Sequence, residues 1–238
     1  MKKFLLLIML PFVSMLANGQ EQQEEPANTS FYLNADIVNR YLWRGLMYSS
    51  NVNIQPTAGI TAGNFFAGAW GSYAVSDKYA EVDFFMGYSM SGLTFTVSDY
   101  YTEDETNFAN FDHFHFKSGT TNHALEGSLS YNFGADFPLT LTAATFFYGN
   151  DRNADGENYY STYFEGSYAF DFSSYNFSVF MGGTPAEGLY APGAAIINLG
   201  LTASKSVPVN EQISIPVSAS LVSNPKAEDI FFIVKLTL

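Results

Sequence analysis

With 238 residues, the chain is long enough for one ordinary domain or one mid-sized barrel. It has no cysteine, which excludes a disulfide framework, a thiolate metal site and the lipidated cysteine of a lipoprotein. Charged residues make up 14% and aromatic residues 17%. Against a usual level of about 25% charged, the surface is short of charge for a soluble protein.

The first feature in chain order is a secretory leader. Lys2 and Lys3 precede an apolar run from Phe4 to Met15, broken only by Pro11 and Ser14. Ala17-Asn18-Gly19 then places small residues before a cut at Gln20. The run is too short for a comfortable membrane helix, so residues 1–19 are expected to be a removable signal peptide. Without its two lysines, eight basic side chains face 23 acidic ones, a formal charge of −15. Such a chain is no candidate for a nucleic-acid partner, which needs a concentrated positive surface. Residues 20–29, rich in Gln and Glu, are expected to be a disordered periplasmic lead-in. The folded domain then spans 30–238.

From there, segments of about ten residues with a period of two alternate with turn residues, and helical periodicity is almost absent. The expected strands are 30–44, 53–62, 65–75, 80–90, 93–102, 123–133, 139–149, 159–170, 175–184, 194–206, 213–223 and 230–238. In the fourth, Val82, Phe84, Met86, Tyr88 and Met90 share a face opposite Glu81, Asp83, Gly87 and Ser89. In the last, Ile230, Phe232, Val234, Leu236 and Leu238 oppose Lys235 and Thr237, while Phe231 and Ile233 break the pattern. Pro56 and Pro216 resist too. A closed barrel has no free edge for a proline, so each is expected at a bulge or near a strand end.

Twelve strands enclose a lumen too wide for side chains to fill. The apolar face is therefore expected outside, toward lipid, with Ser, Thr, Gly, Asn and isolated acids facing water. Connections after even-numbered strands are short, as at Gly63-Asn64 and Ser91-Gly92. Those after odd-numbered strands are mostly longer, with 103–122 the longest. This asymmetry predicts a bacterial outer-membrane location with both termini periplasmic. The expected fold is all-β: a single antiparallel transmembrane β-barrel, up-and-down, of about 12 strands, with ten and fourteen as neighbouring counts. Aromatics at strand ends, Tyr41, Trp43, Tyr100, Tyr101, Tyr148, Tyr159 and Tyr160 among them, are expected to form a girdle at the outer-membrane lipid interface.

One stretch carries a family likeness. Within Ala35 to Ser72 stand Tyr41, Trp43, Arg44 and Gly45 in a Y-x-W-R-G order, then Gln55-Pro56, then Phe65-Phe66-Ala67-Gly68-Ala69-Trp70-Gly71-Ser72. It resembles the TorF-type porins, conserved Gram-negative outer-membrane proteins of unknown function. The acidic strand AEVDFFMGYS and the segment YYSTYFEGSYAF, with Glu165, match the pattern more loosely. The resemblance implies an outer-membrane barrel with a porin role, and it brings no substrate and no catalytic residue.

On the polar face, Asp36, Arg40, Arg44, Glu81, Asp83, Glu126, Glu165 and Lys235 are the candidate lumen-lining and selectivity residues. Opposed charges across a lumen set a transverse field, and a net acidic lining favours cations. The same arginines paired with carboxylates would instead brace the wall and close it. Asp151, Asn153 and Asp155 open a D-x-N-x-D-G loop of the calcium type. Position 12 of that loop is Thr162 instead of glutamate, and an ordinary hairpin loop accounts for the same residues. His113, His115 and His123 lie close together in sequence, and FDHFHF reads as a short strand with two histidines on one face. That patch packs over or into the barrel mouth or, with Asp112, holds zinc or copper.

No G-x-S-x-G turn or phosphate-cradling glycine loop occurs, and nothing around Ser91 or Ser118 singles out a nucleophile, so no enzyme is expected. The leading expectation is passive diffusion of small polar or cationic solutes, with no cofactor apart from the candidate calcium ion. The second is a non-conducting barrel acting as a surface receptor, adhesion or structural protein. The third is a soluble exported β-protein with an apolar ligand cavity.

Overall fold

The computed structural model describes residues 29–76 and 78–238. The expected leader at 1–19, and the lead-in as far as Asn28, lie outside the described residues. Fifteen strands follow: β1 Thr29–Val38, β2 Tyr41–Trp43, β3 Leu46–Ser49, β4 Asn53–Ala62, β5 Phe65–Ala74, β6 Tyr79–Met90, β7 Leu93–Tyr100, β8 Thr102–Asp104, β9 Ala124–Asn132, β10 Leu139–Gly149, β11 Thr162–Phe172, β12 Tyr175–Thr184, β13 Ala195–Pro208, β14 Ser214–Asn224 and β15 Asp229–Thr237.

Twelve of these close into one antiparallel, up-and-down barrel, in the order β1-β4-β5-β6-β7-β9-β10-β11-β12-β13-β14-β15. The short β8 pairs beside β6, and β2 and β3 form a separate hairpin. Closure is made by β15 against β1, where Asp36 faces Thr237 and Val38 faces Lys235. Ala35 and Leu238 exchange both backbone hydrogen bonds next to that seam. A ten-residue strand at the tilt of a barrel spans roughly 25 Å, the height of an apolar membrane band.

Side-chain alternation sorts the wall into two faces. Phe84, Met86, Leu129, Leu141, Phe164 and Leu221 are large, apolar and exposed on the outside. Glu81, Asp83, Glu126 and Asn198 are buried on the inside. An apolar exterior around a polar interior inverts the usual globular arrangement and matches a wall that faces hydrocarbon.

An outward aromatic belt follows the short-turn end. Tyr131, Phe133, Phe137 and Tyr168 form a chain of ring contacts at 4.8, 5.9 and 6.0 Å. Phe170 stacks on Phe177 across the β11–β12 pair at 5.4 Å, and Lys205 Nζ lies 4.9 Å from the Tyr175 ring. These are not the residues expected from the sequence. Tyr41 and Tyr101 are buried, and Trp43 and Tyr100 pack against the buried cluster of Phe146, Tyr163 and Tyr190.

Two expectations about the wall change. The first strand stops at Val38 instead of continuing to residue 44, because Asn39 and Arg40 bend the chain inward. Pro56 sits at neither a bulge nor a strand end. The β4–β5 ladder passes from Ile54↔Tyr73 to Thr57↔Trp70 in unbroken register and omits only the two pairs around the proline. On the lumen side Gln55 donates to Ser72 at 3.1 Å, and Ser72 donates to Asn53 at 3.3 Å, tying the two strands across that gap. Pro216 does lie near a strand end, beyond the point where β14 begins to pair with β15 at Val217↔Leu236. Phe231, which broke the alternation of β15, is buried on the inner face.

The lumen and its inner hairpin as a candidate functional site

The connection between β1 and β4 does not stay outside. Its hairpin, β2 and β3, folds into the lumen and crosses it. Arg44 and Gly45 form the two-residue turn, with φ of 50° and 77°. Two successive left-handed residues make the turn whose twist suits a tight hairpin. At Gly45 only glycine fits, since a Cβ there would lie 1.8 Å from the carbonyl oxygen of Ile197 on β13. Asn224 of β14 donates to the Gly45 carbonyl at 3.1 Å, so the tip is held against the wall.

Arg44 carries the main polar link. Its Nη1 and Nη2 donate to the Glu126 carboxylate of β9 at 2.5 and 2.9 Å, a bidentate pair. Nη1 also donates to the Tyr190 hydroxyl at 2.5 Å, and the guanidinium lies 4.3 Å from the Trp43 ring and 4.7 Å from that of Tyr163. Tyr100 donates to the same carboxylate at 3.2 Å. Burial works against the charge, but the hydrogen bond and attraction from Glu126 outweigh it and hold the Arg44 pKa above its ordinary value. Burial also pushes the Tyr190 hydroxyl well up, so it stays protonated beside the arginine.

The two faces of the hairpin look onto separate spaces. Tyr41, Trp43 and Tyr48 line a cavity of about 210 Å³ toward the loop end. Leu42, Arg44 and Gly45, with Phe180, Val222 and Ile233, line one of about 170 Å³ on the other side. Inward apolar residues on β14 and β15 therefore meet the apolar face of the hairpin, which is why Ile233 departs from simple alternation.

The predicted lumen residues fall as follows. Asp36 accepts from Lys235 at 3.1 Å and from Thr237 at 2.6 Å, bracing the seam. Arg40 is exposed in the bend after β1, not on a strand face. Glu81 and Asp83 are neighbours on the inner face of β6, where Tyr79 donates to Glu81 and the Tyr101 amide donates to Asp83 at 3.3 Å. Glu165 of β11 accepts from Tyr163 at 2.5 Å and from Asn198 at 2.9 Å. Of the predicted set, five carboxylates thus face inward together with the two bases Arg44 and Lys235. Sequence reasoning missed Tyr190, Tyr163, Asn198 and Asn224, whose roles depend on contacts made across the lumen. The small residue Gly182 was a faint signal, because a Cβ there would overlap the Tyr163 ring.

Other candidates take structural partners. Asp151 accepts from the Ser161 amide and hydroxyl at 2.7 and 2.6 Å. Asn153 accepts from the amides of Asp155 and Glu157 at 3.0 and 2.9 Å. The expected FDHFHF strand is not formed; 111–116 is irregular chain. His113 pairs with Glu103 at 3.1 Å and lies tilted against the Tyr101 ring, whereas His123 pairs with Asp99 at 2.8 Å and stacks on Phe116. Asp99 shares its face of the wall with Phe84 and Leu125, so His123 packs on the outer side near the rim, while Asn122 beside it lines the cavity at the loop end. His115 meets Thr120, and Ser118 accepts from Arg152 at 2.8 Å. Among the described residues no three His, Asp or Glu side chains gather in a metal-binding group.

A closed barrel, apolar outside and polar inside, with a connection folded into its lumen, has the architecture of a porin-like outer-membrane protein. Neither protein-family models nor curated protein sequences match the chain. The residues that carry the TorF-type resemblance converge in space: Tyr41, Trp43, Arg44 and Gly45 build the hairpin, and Trp70 lies 5.4 Å from Tyr41.

Proposed function

We propose that the protein is a porin-like barrel of the bacterial outer membrane, with both termini periplasmic, that passes small polar or cationic solutes through a lumen narrowed by its own hairpin. The observation that carries this reading is the lumen lining: Asp36, Glu81, Asp83, Glu126 and Glu165 face inward against Arg44 and Lys235. A net acidic constriction favours cations over anions. The resemblance of Ala35 to Ser72 to TorF-type porins supports the same reading.

A second reading, a non-conducting barrel with a receptor, adhesion or structural role, is favoured by the aromatic packing of the hairpin. Trp43 contacts Tyr100, Phe146 and Tyr190 at 5.5, 6.4 and 5.8 Å, leaving little room at that level. Planar-bilayer recordings separate the two. The expected result is a small cation-selective conductance that grows several-fold when Tyr41–Ser49 is replaced by a short turn. Silence from both the intact and the shortened barrel, each verified as folded by heat-modifiable gel mobility, would reject the passage.

A further inference from the structure

The cavity on the loop-end side of the hairpin is built differently from the rest of the lumen. Four of its lining residues, Tyr41, Trp43, Tyr48 and Tyr100, present rings in mutual contact. Centroids are 5.4 Å apart for Tyr41–Tyr48, 6.0 Å for Trp43–Tyr48 and 5.5 Å for Trp43–Tyr100. Glu81 lies in the same wall, 4% exposed, with Asp83 at the next inward position, 6% exposed. Neither carboxylate forms an ion pair with a basic side chain among the described residues. Two adjacent buried carboxyl groups without a cation are costly to ionise together. A positive ligand would relieve that cost, and electron-rich ring faces favour one that is weakly hydrated.

The shape narrows the ligand further. About 210 Å³ holds roughly seven water volumes, the size of a compact molecule rather than a drug-sized one. A hydrated metal ion is a poor match: oxygen-bearing Asn122, Asn150 and Asp151 also line the wall, but among the described residues no three His, Asp or Glu side chains gather in a metal-binding group. The lumen already shows the matching chemistry once: the Arg44 guanidinium sits over Trp43 and Tyr163. That charge is met by Glu126, and Arg44 borders the other cavity, so it does not fill this one.

We propose that the loop-end cavity is a binding site for a small alkylated ammonium ion, seated against Tyr41, Trp43, Tyr48 and Tyr100 and balanced by Glu81. The site goes beyond the passage reading and does not depend on it, since binding is possible in a barrel that does not conduct. The chain supplies its own reporter. Its two tryptophans are Trp43, in the cavity wall, and Trp70, in contact with Tyr41.

The test is tryptophan fluorescence of the folded full-length barrel in maltoside micelles, which contain no ammonium groups, titrated with choline and with 3,3-dimethylbutan-1-ol, its neutral isostere. Choline is expected to give a saturable change, with the alcohol about tenfold weaker or more. Glu81→Gln is expected to weaken choline about tenfold. Tyr48→Leu keeps an apolar side chain, loses a ring face, and carries the test if the first variant fails to fold. An equal response to the alcohol, no saturation with choline, or displacement of choline by equimolar calcium would overturn the site.

Discussion

Glu126→Gln removes the charge that holds the hairpin across the lumen. In the intact protein Glu126 is 2% exposed and receives both Arg44 nitrogens, at 2.5 and 2.9 Å, as well as Tyr100 at 3.2 Å. Hydrogen bonds to charged groups contribute about 1.5–3 kcal/mol each. Removing one member of a buried pair costs about 3–5 kcal/mol, because the remaining charge is left unmatched. Glutamine keeps one acceptor, so the expected loss is about 3 kcal/mol, at the lower end of that range. Localised in the docked hairpin, it raises the undocked population on the order of 100-fold. Hydrogen exchange of the amides of 41–49 in the folded barrel measures this directly. The double variant Arg44→Met with Glu126→Leu removes both charges together and is expected to recover most of the protection. Protection within threefold of the intact protein, or a double variant no better than the single one, would refute the idea that this pair latches the hairpin.

Two further outcomes follow from close approaches in the fold. Gly45→Ala places a Cβ against the Ile197 carbonyl at φ +77°, so hairpin protection should fall by the equivalent of about 2 kcal/mol or more, read by the same exchange measurement. Gly87→Val drives a side chain into the Phe66 ring, which packs over Gly87 on the lumen wall, and against the Phe95 carbonyl. The ring is expected to turn inward and lower any conductance in bilayer recordings, with folding checked by gel mobility.

Most of the wall was legible because each barrel strand writes its two environments into alternate residues. In β6, Phe84, Met86, Tyr88 and Met90 are exposed and Glu81 and Asp83 buried, as the alternation requires. Short and long connections fall at opposite ends of the barrel, as their lengths along the chain imply. The hairpin was illegible because its residues keep a period of two, Tyr41 and Trp43 on one face and Leu42 and Arg44 on the other, and a strand that continues has the same period as one that bends inward and restarts. Its turn is Arg44-Gly45, without the asparagine or aspartate that usually announces such a turn. The girdle was misplaced for a related reason. Aromatic composition does not say which side of the wall a ring faces, and Tyr41, Trp43 and Tyr100 turned out to fill the inside. Pro56 was misread because side chains, Gln55 and Ser72, tie the two strands together beside it, which no backbone rule anticipates.

The latch also fixes an order of assembly. The hairpin leaves the wall after the first strand, yet Arg44 reaches partners 82 and 146 residues further on, and Gly45 one 179 residues on. Those partners stand on β9, in the loop before β13, and on β14, so the docking surface does not exist until nearly the whole wall is in place. Loops of that length are closed late, after local hairpins have formed. A chain that enters the membrane strand by strand would therefore hold its lumen unobstructed through most of its insertion. Seating of Arg44 would then be the last event, a signal internal to the molecule that the ring of strands is complete.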